Sequence, residues 1–201
     1  LGANSPLMVA PAATVGRVLA PSPMAFGLIG SAALTLKAVL QAWVAAARAA
    51  DDSTVVEDTG CGTTCQGNLR LGLLQYPGLF AADTCAGASL EATRMGMTII
   101  DGAHGSGAVL LPADDVPVSN LSVIMADLTA AGANVFLGCV ETRDQGHAIL
   151  RAIEEARLAP YAVGMADLGY GVEGEPWRNE DLWTGRCAVL AWSQLRTAGI
   201  L

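Results

Sequence analysis

The chain predicts an α/β fold with a mainly parallel sheet and flanking helices. Three observations carry this reading. Short apolar runs rich in β-branched residues and leucine alternate along the chain with longer stretches of helical periodicity. Glycine or proline punctuates most of the junctions. Of the 201 residues, 52% are apolar and only 15% charged, enough to cover a sheet on both faces. The expected organisation is one compact unit over 1–201, with a possible division into halves 1–101 and 102–201.

The elements follow in order. Leu7 to Val9 is a short apolar run ended by Pro11, and Ala25 to Ile29 reads as a strand closed by Gly30. Ser31 can cap a helix running to Ala50, in which Lys37, Gln41 and Arg48 recur at helical spacing. Thr54 to Val56 is a short strand, and Glu57 to Asn68 a polar, glycine-rich loop. Leu69 to Leu74 is a buried strand, Pro77-Gly78 a turn, and Leu79 to Met95 a helix stopped at Gly96. Met97 to Ile100 and Ala108 to Leu111 are strands around a glycine-rich loop, Asp101 to Gly107. A helix spans Asn120 to Ala131, with Ser119 as cap and Gly132 as stop. Val135 to Cys139 is a strand, Gln145 to Arg157 a helix, and Tyr161 to Met165 a strand. A long polar loop, Gly169 to Gly185, holds Trp177 and Trp183 and suits a lid or a subunit contact; Cys187 to Trp192 is a last apolar run. Residues 25–101 also parse as β-α-β-β-α-β, the ferredoxin-like order, which would make the sheet antiparallel and the chain a tandem α+β protein.

Composition excludes several functions. The net charge is -8 and Lys37 is the only lysine, with the arginines scattered. Counterion release from a phosphate backbone needs clustered cations, so no nucleic acid and no anionic membrane surface is expected as partner. No segment reaches the roughly 18 consecutive apolar residues that cross a bilayer. No basic stretch followed by an apolar one marks a leader. Five irregularly spaced cysteines argue against a disulfide scaffold and for a reducing, cytoplasmic setting.

In a parallel sheet, ligands bind in the loops after the C-terminal ends of strands. Four polar loops qualify: Glu57 to Cys65, Asp101 to Gly107, Cys139 to His147 and Asp167 to Gly171. Cys139 follows a buried strand and precedes a helix whose N-terminal dipole could favour a thiolate, a base or nucleophile. Glu141 and His104 are candidate helpers. Asp101, Gly102, Gly105, Ser106 and Gly107 could cradle a carboxylate with backbone N–H groups, with Arg143 as a counter-charge. The spacing is not that of a nucleotide loop, and no cofactor is expected. Cys61 and Cys65 form a CxxxC pair, too sparse a ligand set for zinc, so no metal is expected.

Leu137-Gly138-Cys139-Val140-Glu141, after a helix and a Gly-Ala turn, resembles the second cysteine motif of the aspartate/glutamate racemase superfamily. Leu71 to Gly78 looks like the strand and turn that open that family's second half. The resemblance implies an isomerase or lyase in which Cys139 moves a proton at an acidic carbon of a small carboxylate. The family's first motif, Cys-Asn-Thr, has no counterpart; Val9 to Thr14 stands at the nearest position without a cysteine. A one-thiol decarboxylase or lyase therefore fits better than a two-thiol racemase. Leu137 to Arg143 with the helix Ala148 to Ala156 also resembles the opening of a bacterial microcompartment shell domain. That resemblance implies a non-catalytic tandem-domain subunit. Either reading leads to a homo-oligomer.

Overall fold

The structure is a computed structural model that describes residues 8–10, 25–27, 32–34, 36–52, 69–100, 107–112, 115–158, 160–165 and 188–191. The elements are β1 (Met8–Ala10), β2 (Ala25–Gly27), a 3-10 turn (Ala32–Leu34), α1 (Lys37–Asp52), β3 (Arg70–Gln75), α2 (Leu79–Arg94), β4 (Thr98–Ile99), β5 (Val109–Leu110), α3 (Val118–Ala130), β6 (Val135–Cys139), α4 (Arg143–Glu155), β7 (Ala162–Met165) and β8 (Ala188–Ala191).

The main sheet runs β4-β3-β6-β7-β8 and every ladder in it is parallel. β1 and β2 form a separate parallel pair. The α/β reading therefore holds. The ferredoxin-like parse fails because its hairpin pairings would be antiparallel, and with it goes the fold argument for a shell subunit. β3, β6 and β7 are buried along nearly their whole length, as strands covered on both faces must be.

Glycine contacts separate the two covering layers. A Cβ on Gly164 would meet Leu137 and the Trp43 ring of α1, whereas one on Gly138 would meet Ile149 of α4. Alternation along the strands puts Leu137 and Cys139 on the α1 side and Gly138 on the α4 side. α2 packs with α1 and the 3-10 turn on one face; α3 packs with α4 on the other. The chain thus leaves β3 in one direction through α2 and returns past it through α3 to β6. The boundary between β3 and β6 is where the winding reverses.

Several boundaries differ from the sequence reading for local reasons. α4 begins at Arg143, not Gln145, because Thr142 caps it: its hydroxyl accepts from the Gln145 N–H while the Gln145 side chain accepts from the Thr142 N–H. α3 begins at Val118, with Pro117 rather than Ser119 at the cap. Gly96 and Gly132 follow the ends of α2 and α3 with positive φ, as expected of stop residues. The helix predicted from Ser31 is a 3-10 turn followed by α1, and Ser31 itself lies outside the described residues.

Candidate functional site

The turn after β3 and the turn after β6 meet at the reversal point, and each is tied to the other. The Tyr76 N–H donates to the Cys139 carbonyl at 3.1 Å, extending the ladder past the strand ends. Gly78 sits at the N-cap of α2 with φ 136, a conformation open to glycine. It offers no capping side chain. The cap comes from the other turn instead: Glu141 Oε1 accepts from the Ala81 N–H at 2.7 Å. A Cβ on Gly78 would overlap that carboxylate, so the glycine makes room for Glu141. The Glu141 N–H is held in turn by the Gln145 side chain at 2.7 Å. Gln145 is almost fully buried, which makes this a fixed joint.

Above this joint lies a cleft of about 520 Å³. Tyr76, Pro77 and Gly78 line it from the β3 turn, Glu141, Thr142, Asp144, Gln145 and Ala148 from the β6 turn and α4, and Asp115 and Val116 from the segment after β5. These segments follow the C-terminal ends of adjacent strands, where open α/β sheets bind ligands. Glu141, Thr142, Asp144 and Asp115 are exposed at the rim, and Tyr76 is 1% exposed at the floor. Three carboxylates, those of Asp115, Glu141 and Asp144, stand around the cleft. Burial pushes the Tyr76 phenol up to about 12, so it stays a neutral donor.

Cys139 is not at this cleft as a thiol. Its sulfur is bonded to that of Cys85 in α2, with the two Cα atoms 5.6 Å apart, and both residues are buried. The expectation of a free thiol at Cys139 is corrected here. The physical reason is strand alternation: Cys139 points to the α2 face, away from the α4 N-terminus that would have lowered its pKa. One N–H of the first α4 turn, that of Gln145, is engaged by the Thr142 hydroxyl as well.

Glu141 is at the cleft, but as the cap of α2 rather than as a helper to a thiol. Arg143 opens α4, and its side chain lies outside the described residues. Asp101, Gly102, His104, Gly105, Ser106, Cys61, Cys65, Trp177 and Trp183 also lie outside them. Gly107 is described, with φ 76. Ile99 pairs opposite Leu71 and Val109 opposite Leu74, both on β3. Among the described residues, no group of three or more His, Cys, Asp or Glu side chains is placed to hold a metal ion, and no helix is long and apolar enough to cross a membrane.

Sequence reasoning missed Tyr76, Asp115 and the Cys85 partner of Cys139. The signal for Tyr76 was its place directly after a buried strand, β3. For Cys85 no local signal exists, since the pairing joins residues 54 apart.

No family model matches the chain, and no curated protein matches it in sequence. A solved structure from Silicibacter pomeroyi, provisionally described as a branched-chain amino acid ABC transporter, is similar in fold, with a TM-score of 0.55 and 10% identity. The alignment covers 92% of this chain and 45% of that one. What the two share is an α/β fold. The present chain spans less than half the length of that protein.

Proposed function

We propose that this chain is a binding domain for a small molecule bearing an ammonium group, held without covalent chemistry in the cleft between the β3 and β6 turns. The observation that carries the reading is the set of carboxylates, Asp115, Glu141 and Asp144, around a cleft at the reversal point of the sheet. Such a cleft attracts a cation and repels the small carboxylate that the cysteine motif suggested. The Cys85–Cys139 bond supports binding over proton transfer, because the sulfur that would carry the proton is committed. It also supports work in an oxidising compartment rather than the cytoplasm. The fold likeness to a transporter protein is compatible with this and carries no ligand.

Calorimetric titration tests the reading with 3-methylbutylamine and putrescine against isovalerate and glutarate. The amines should bind and the acids should not. Binding should weaken as salt rises and fall in Glu141→Gln, whose amide oxygen can still cap α2. Binding of the acids alone, or release of Cys139 as a titratable thiol in the native protein, would return the proton-transfer enzyme to first place.

A further inference from the structure

We draw no further inference here: the strongest candidate, the surface patch of exposed leucines on the outer face of α2, Leu79 and Leu90, with Leu34 of the 3-10 turn packed against that helix, carries nothing because nothing in the structure shows what covers it.

Discussion

Removing the Cys85–Cys139 bond perturbs the molecule at one defined place. The bond links α2 to the last residue of β6 and spans 54 residues of chain. Closing a loop of that length restricts the unfolded chain by about 4 kcal/mol. In a protein of this size that corresponds to roughly 8–16 °C in Tm. The double variant Cys85→Ala/Cys139→Ala isolates the term, since both residues are already buried and alanine introduces no polar atom. Urea unfolding followed by circular dichroism gives the free-energy difference directly. The variant should unfold at a clearly lower urea concentration, with an equal or slightly larger dependence on urea because its unfolded chain is less compact. Wild type treated with a reductant under unfolding conditions should match it. Equal midpoints for variant and wild type would refute the reasoning, as would two free thiols at these positions in the native protein.

Gly78→Ala should cost about 1–3 kcal/mol, because it forces a side chain into a positive φ and onto the Glu141 carboxylate; urea unfolding reads the loss, and weaker amine binding should accompany it. Gly164→Ala should destabilise by a similar 1–3 kcal/mol through overlap with Leu137 and the Trp43 ring, with a shift in tryptophan fluorescence as α1 moves off β7. Glu91 accepts from Arg94 at 2.7 Å and from Gln41 at 3.0 Å, and these contacts hold its carboxyl below the ordinary 4.5. A lowered folded value adds stability that is fully present above pH 4.5 and lost as pH falls through it. Glu91→Gln should therefore lower stability at neutral pH, leave the most acidic end less affected and so flatten the acid limb of the profile, as followed by thermal melts from pH 3 to 7.

The fold was legible because the strands that matter are buried on both faces. Leu71 to Leu74 and Val135 to Cys139 are continuous apolar runs, and such runs between helices imply a covered parallel sheet. Helix ends were legible wherever a glycine takes positive φ, as at Gly132. The site was half legible. The turn after β6 was identified, but the roles within it were not. Glu141 reads locally as a partner for Cys139; its actual contact is the Ala81 N–H, 60 residues away. Cys139 reads as a thiol beside a helix start, and only the strand pleat reveals that it faces the opposite layer.

Backbone amide shifts recorded by NMR during titration with 3-methylbutylamine test the central claim most directly, since they report where a ligand sits as well as whether it binds. The account predicts saturable shifts concentrated at Tyr76 to Gly78, Asp115 to Val116 and Glu141 to Gln145, and weaker saturation of the Glu141→Gln protein at equal concentration. Saturable shifts centred elsewhere, or none in any of these three segments, would contradict it.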